Sequence, residues 1–507
     1  MPKDEQKPGG TDDGAARQGL RPDGLAIAQK AAARTPAVNV PADPPVAGLP
    51  GDMISSKAGV AWPGLPSSGR HLIALAVQFQ LEQSQWWSPE RIAEHQYHQL
   101  GLLIRHSAQT VPYYRDLFRR VGFDAAKTVT PETWRRIPTL SRRALKQHFQ
   151  TLQSNAVPED HGAVRSFDTS GSTGAPVFVH KTELQRFFWL TNTLRDHLWH
   201  KRDLSATMAS IRIFDNPAEA AYPQGVSSSR WGESSAMFAT GPGHSLNLET
   251  KVHLQVEWLR RIRPAYLLTH PSNLAALARY CLDHRISMPF LRGLRTMSET
   301  LRPEVRDLCR ETWGVEIVDL YSTEEVGVIA IQSPVADELL VQAETILVEV
   351  IDEQGQPCPP GRVGRLVVTP LHAFALPLLR YEIGDLAEAG GRAACGRGLP
   401  VLARLLGRER NMVRLPNGHR HYPSYHYFMT GFDQVMQFQI VRKTVQLLEV
   451  RLVVRSALSP DQENELRARV HERFDYPFDV QFVYLDEIPR APSGKYLDYY
   501  SELKEDA

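Results

Sequence analysis

Between residues 166 and 368 the chain alternates strand-like with helix-like segments, and this alternation most restricts what it can fold into. "AYLLT", "VEIVDLY" and "ILVEVID" have the β-branched and aromatic make-up of strands. "SNLAALARYCLDH" and "PEVRDLCRETW" place apolar residues at helical intervals. Strands separated by helices of that length pack as layered α/β structure. The next run, "RLVVTPLHAFALPLLRYEIGDLAEAG", reads as consecutive short strands forming a small barrel. Upstream, "HLIALAVQFQLEQSQWW" and "SPERIAEHQYHQLGLLIRHSAQ" are helical, the second capped by Ser88 with Pro89 at its first position. Near the C-terminus "QFQIVRKTVQLLEVRLVV" alternates as a hairpin does. "SPDQENELRARVHERF" then opens on a capping box of Ser459 and Gln462 around Pro460, and "DVQFVYLDEI" closes as a strand.

A chain of 507 residues exceeds one ordinary core. The expected organisation is a low-order tail rich in Pro, Gly, Ala and Asp over residues 1–68, a large α/β domain over 69–405, and a small α+β domain over 406–507. The 58 basic and 57 acidic residues leave a formal charge of +1, which gives no electrostatic case for a nucleic-acid or membrane-surface partner. The basic runs "RRVGF", "TWRR", "LRRIRP" and "SRRALK" read as solvated helix faces. Cys281, Cys309, Cys358 and Cys395 are far apart, without a C-x-x-C pair, which fits a reduced, cytoplasmic compartment and no zinc site. No apolar run is long enough for a membrane helix, and "MPKDEQKPGGTDDG" lacks the apolar centre of a secretory signal.

The densest chemical signal is "DTSGSTGAP" at residues 168–176, flanked by the strand-like "AVRSF" and "VFVH". Glycines permit a tight turn whose N–H groups make an anion-binding nest, and the hydroxyls add donors. Thr169, Ser170, Gly171, Ser172, Thr173 and Gly174 are therefore expected to wrap a polyphosphate. Downstream come "DLYSTEEVG" (319–327), "LRYEIGDLAEAG" (379–390), "LLGRERNMVRLPNG" (405–418) and "IPRAPSGKYLDYY" (488–500). Each is weak alone; their order and spacing carry the information.

In that order and spacing the sequence resembles the acyl-adenylate-forming ligases. It is most similar to their phenylacetate–CoA ligase branch, including the relatives named for capsular polysaccharide biosynthesis. The resemblance runs over residues 86–495. It implies activation of a small carboxylic acid by Mg-ATP with loss of pyrophosphate, then transfer of the acyl group, most readily to coenzyme A. It also implies that the small C-terminal domain is a mobile lid. By the same resemblance Tyr321 stacks on adenine, with Ser298, Glu299 and Asp319 near the base. Asp385 accepts hydrogen bonds from the ribose, Arg408 reaches the ribose and phosphate, Lys495 bridges the carboxylate and the α-phosphate, and Arg410 marks the hinge.

One motif departs from the family pattern. Relatives carry a hydroxyl residue and then a magnesium-binding glutamate, whereas this chain reads Tyr321-Ser322-Thr323-Glu324-Glu325. Register on the following "VG" makes Glu325 the metal ligand and puts Glu324 where the hydroxyl is expected. Carboxylates beside phosphates repel unless a cation intervenes. Three readings stay open: magnesium takes both glutamates, Glu324 turns away, or the site is altered. His270 and His180 either border an acyl pocket or are hydrogen-bonded structural histidines. Trp231 and Phe238 either line an aromatic-acid pocket or pack in the core. Transfer to an amine, a hydroxyl or a carrier-protein thiol remains an alternative to coenzyme A, as does a nucleotide-binding protein that has lost catalysis.

Overall fold

The computed structural model describes residues 69–168, 177–214, 216–232, 240–409, 412–416, 418–491 and 495–503. The tail, the glycine-rich segment, Phe238 and Arg410 lie outside them.

One sheet runs in the order Val226–Ser228, Gly243–Asn247, Met208–Arg212, Tyr266–Thr269, Gly293–Thr296, Ile317–Val318. Only its first pair is antiparallel. Parallel neighbours need long crossovers, and the helices Val252–Ile262, Pro271–Asp283 and Pro303–Trp313 supply them. Trp258, Leu259, Leu274, Leu277 and Val305 pack with Ile211, Leu246, Leu267 and Leu294. The strands' C-terminal ends share one edge, where ligands bind in open parallel sheets. Residues 270, 298–299 and 319 follow these ends directly.

The consecutive strands that the sequence suggested belong to a seven-stranded antiparallel sheet. Its order is Ile346–Ile351, Val363–Pro370, Tyr381–Ala389, Val401–Arg408, Leu339–Val341, Gly327–Gln332, Leu320–Thr323. The helices Pro89–Thr110 and Pro112–Val121 share its core through Leu100, Leu103, Ile104 and Tyr114. Tyr114 clips them to the sheet, donating to the Pro377 carbonyl at 3.0 Å and accepting from the Leu379 N–H at 2.9 Å. Ser88 caps the first of these helices, accepting from the Arg91 N–H.

Towards the C-terminus the strands Asp479–Tyr484, Leu447–Val454, Val435–Arg442 and Tyr499–Ser501 make a four-stranded sheet in that order. The two central strands form the expected hairpin, and each outer strand is parallel to its neighbour. The helix Pro460–Phe474 opens on the expected capping box. It closes over a separate core that includes Phe428, Phe438, Val450, Leu466, Phe474 and Tyr499. Among the described residues no helix is long and apolar enough to cross a membrane, and all four cysteines are free.

Candidate active site

The glycine-rich segment hangs from a hairpin. Val164–Asp168 pairs antiparallel with Phe178–Thr182, Asp168 opposite Phe178, so the two ends of the segment lie side by side. The six residues expected to hold phosphate fall outside the described residues; the strands that carry them are defined.

Across the C-terminal edge of the parallel sheet lies a connected polar group. Thr296 donates to Asp319 Oδ1 at 2.6 Å, and burial pushes the Asp319 carboxyl up against that bond and the charge of Arg306. Two residues on, the Tyr321 hydroxyl donates to Asp385 Oδ2 at 2.5 Å. Asp385 stands opposite Arg408 in the ladder between adjacent strands, and the Arg408 Nε meets its Oδ1 at 3.0 Å. This cross-strand pair follows Gly384, whose φ of +81° suits a residue without a Cβ. A carboxylate offers about four acceptor directions, so Asp385 retains capacity for further donors.

Glu299 is the junction between the large body and the C-terminal unit. Ser298 before it has φ of +69°, a left-handed conformation that is uncommon outside glycine. The Glu299 carboxylate accepts from the Ser272 N–H at 3.0 Å, at the start of the helix Pro271–Asp283, and meets His270 Nδ1 at 3.3 Å. From the other side it accepts from the Tyr496 N–H at 2.7 Å and from Arg490 Nη1 at 3.2 Å. Burial alone would raise this carboxyl; the His270 bond and charge, Arg490 and the Tyr496 N–H outweigh it and bring it below the usual range. Arg490 also donates to the Ser272 hydroxyl at 2.9 Å. Lys495, next to Tyr496, is half-buried and its carbonyl accepts from the Ala491 N–H.

The paired glutamates diverge onto different cations. Glu325, 7% exposed, accepts from Arg142 at 2.7 Å. Glu324 accepts from Lys181 at 2.6 Å. Lys181 is 3% exposed, and its ammonium lies over the rings of Phe167 and Trp189. Burial pulls the Lys181 ammonium down, against the pull of Glu324. Among the described residues no group of three or more His, Cys, Asp or Glu side chains could hold a metal.

Known proteins resemble this arrangement. The family profile of the CapK C-terminal domain matches residues 424–498. The phenylacetate–coenzyme A ligase of Thermus thermophilus is 27% identical over 337 residues, 64% of this chain and 72% of that protein. A 2-hydroxyisobutyryl-CoA ligase in its postadenylation state superposes with a TM-score of 0.66 at 19% identity, over 83% of this chain and 91% of the other. The same ligase in its thioesterification state gives 0.53 over the same shares. The chain is a homologue of phenylacetate–coenzyme A ligases and of the CapK protein of Staphylococcus aureus.

The folded chain shows where the remaining expected residues lie. Glu299, expected near the base, is 7% exposed at its side chain and engaged by the C-terminal unit. His270 is buried, and its Nδ1 meets Glu299 at 3.3 Å. Trp231 packs in the core at the opposite end of the sheet from the site. Its indole N–H donates to the Ala206 carbonyl, and it clusters with Met208 and Tyr266 at the N-terminal ends of their strands. His180 stacks edge-on against Phe149. The run "SRRALK" is not wholly a solvated face, because Arg142 reaches Glu325. Arg142, Lys181, Arg490 and Tyr496 were missed as site residues. Only Lys181 had a local signal: a lysine among apolar strand residues just after the glycine-rich segment.

Proposed function

We propose that this chain joins a carboxylic acid to coenzyme A through an acyl-adenylate, using Mg-ATP and releasing pyrophosphate. The observation that carries the reading is the seating of the segment around Lys495 on Glu299, at the edge where Asp319, Tyr321, Asp385 and Arg408 gather. Attack of a carboxylate on the α-phosphorus brings two anions together, and a positioned ammonium stabilises the charge that develops. We assign that ammonium to Lys495. The Tyr496 N–H and Arg490, held by Glu299, set where its backbone lies. Asp385, fixed by Tyr321 and Arg408, is suited to accept ribose hydroxyls, and the ring of Tyr321 to flank the base. Thr169, Ser170, Gly171, Ser172, Thr173 and Gly174 are assigned to the phosphates.

The donor set also fits magnesium as this chemistry uses it. Mg²⁺ is usually held by one or two carboxylates together with substrate phosphates, not by an all-protein cage. Glu325 is the carboxylate we assign to it, where the ion would neutralise phosphate charge. Glu324, drawn onto Lys181, is assigned no metal. The higher TM-score with the postadenylation state supports reading the seated lid, residues 406–507 with a hinge at Arg410, as the arrangement for the first half-reaction. Four free cysteines support a reducing, cytoplasmic setting.

The test is pyrophosphate release from Mg-ATP with a panel of carboxylic acids, with and without coenzyme A. Acid-dependent release and a thioester product are expected. Release without a thioester would assign the acyl group to an amine, hydroxyl or carrier-protein acceptor. No release with any acid would refute adenylation.

A further inference from the structure

Between the helix Glu183–Trp199 and the strand Gly327–Gln332 lies a narrow, half-open cavity with about 20 Å³ of interior space, room for one small polar group. Val326 and Gly327, directly after Glu325, line it, and so does Lys181, whose ammonium holds Glu324. The cavity therefore adjoins the turn of the paired glutamates, and the strand Phe178–Thr182 contributes Lys181 to its wall.

Its lining is polar where a hydrocarbon pocket would be dry. Gln185, Asn192 and His372 face it together with Trp189. Among the described residues, Gln185 Oε1, Asn192 Oδ1 and His372 Nδ1 are buried without a hydrogen-bond partner. Asn192 is 2% exposed and its orientation is fixed. Its Nδ2 donates to the Thr345 hydroxyl at 3.0 Å, and that hydroxyl gives its one hydrogen to the Gln342 carbonyl at 3.1 Å. Thr345 therefore accepts from Asn192, and the amide nitrogen has to face it. The Asn192 carbonyl oxygen is left as an acceptor. Burial pushes the His372 imidazole down to about 4, so at neutral pH it is uncharged and keeps one acceptor nitrogen. Buried acceptors without a donor are costly and rare in folded proteins.

We propose, resting on the ligase reading above, that this cavity receives the far end of the acyl group and that the acid carries a hydrogen-bond donor there. The substrate class is a hydroxyl- or amino-substituted carboxylic acid, not a hydrocarbon one. A hydroxyl or amine gives the Asn192 and Gln185 oxygens the donor they lack. A methyl group of the same size leaves them dry. Sites built to hydrogen-bond a substrate OH or NH discriminate far more strongly against its absence than apolar pockets do against an added methylene.

The experiment is pyrophosphate release by the full chain with short aliphatic and aryl acids, each in hydroxy, amino and methyl forms. On the best scaffold the hydroxy or amino member should exceed its methyl counterpart in kcat/KM by about tenfold or more. Asn192→Leu should reduce that preference to about threefold or invert it, with the KM for ATP within about twofold of the parent. Gln185→Leu, at a half-buried position, gives the same readout if Asn192→Leu does not fold. A methyl member winning in the parent enzyme would overturn the inference and leave the ligase reading standing. So would equal rates with an unchanged preference in both variants, which would mean the cavity holds ordered water. A panel in which no acid releases pyrophosphate refutes the ligase reading, and this inference with it.

Discussion

Glu299→Gln separates the two halves of the proposed reaction. The change keeps the side chain's size and one carbonyl acceptor but removes the negative charge that meets Arg490 at 3.2 Å and the Tyr496 N–H at 2.7 Å. Hydrogen bonds to a charged group contribute about 1.5–3 kcal/mol and neutral ones about 0.5–1.5. Each of the two lid contacts should lose about 1 kcal/mol, so the seated lid loses about 2 kcal/mol, or roughly 30-fold in its ratio to the open lid, which is the largest fall in rate it can cause. Acid-dependent pyrophosphate release should fall by up to that factor. Thioester formation from synthetic acyl-adenylate should stay within about threefold, because it does not use the seated arrangement. The substitution also weakens the acceptor for the Ser272 N–H, so its melting temperature has to be measured alongside. Arg490→Met removes the contact from the lid side and leaves that N–H bonded; it should lower the first half by about five- to tenfold. Equal losses in both half-reactions, or an unaffected first half in both variants, would refute the role of Glu299. Because this carboxyl titrates below its usual range, its contribution is complete above that range and is lost only as pH falls through the lowered value. The Glu299 contacts should therefore impose no pH dependence on the first half between about pH 6 and 8.

Lys495→Ala should slow adenylation by about 10²–10³ and spare acyl transfer from supplied acyl-adenylate, measured as the same two half-reactions. Glu324→Thr should not be neutral: it leaves the Lys181 ammonium buried between two rings, and urea unfolding should show a loss of about 2–4 kcal/mol. Lys181→Met combined with Glu324→Thr should recover most of that loss, a coupling a double-mutant cycle reads directly. His372 is held by burial at about 4 against an ordinary value of 6.5, so the unfolded chain binds a proton that the native one does not between those values. Stability should be complete above pH 6.5 and fall by about 2–3 kcal/mol towards pH 4, and His372→Gln should flatten that part of the profile.

The fold was legible because its signals are local. The alternation over 166–368 marks strands and crossover helices, and Ser88 and Ser459 announce helix starts through their own hydroxyls. The residues flanking "DTSGSTGAP" read as strands from composition alone. The site was legible only as separate motifs; the fold brings Tyr321, Asp385 and Arg408 from three of them into one bonded group. Arg142 and Lys181 escaped because their glutamate partners lie 183 and 143 residues away and no short pattern links them. The contacts of Glu299 were not legible from the motif around it. Its partners Arg490 and Tyr496 come from the other end of the chain, and only the folded arrangement brings them to it. Trp231 stayed open between pocket and core because a tryptophan in a loop-rich segment looks the same whether it lines a pocket or plugs the base of a sheet.

The central claim is that the acid's own carboxylate attacks the α-phosphorus of ATP. Turnover with an acid carrying ¹⁸O in its carboxylate tests this directly, by mass spectrometry of the nucleotide product. One labelled oxygen should appear in the phosphate of AMP, with pyrophosphate as the other product. Label in inorganic phosphate with ADP formed, or AMP produced without label, would contradict it.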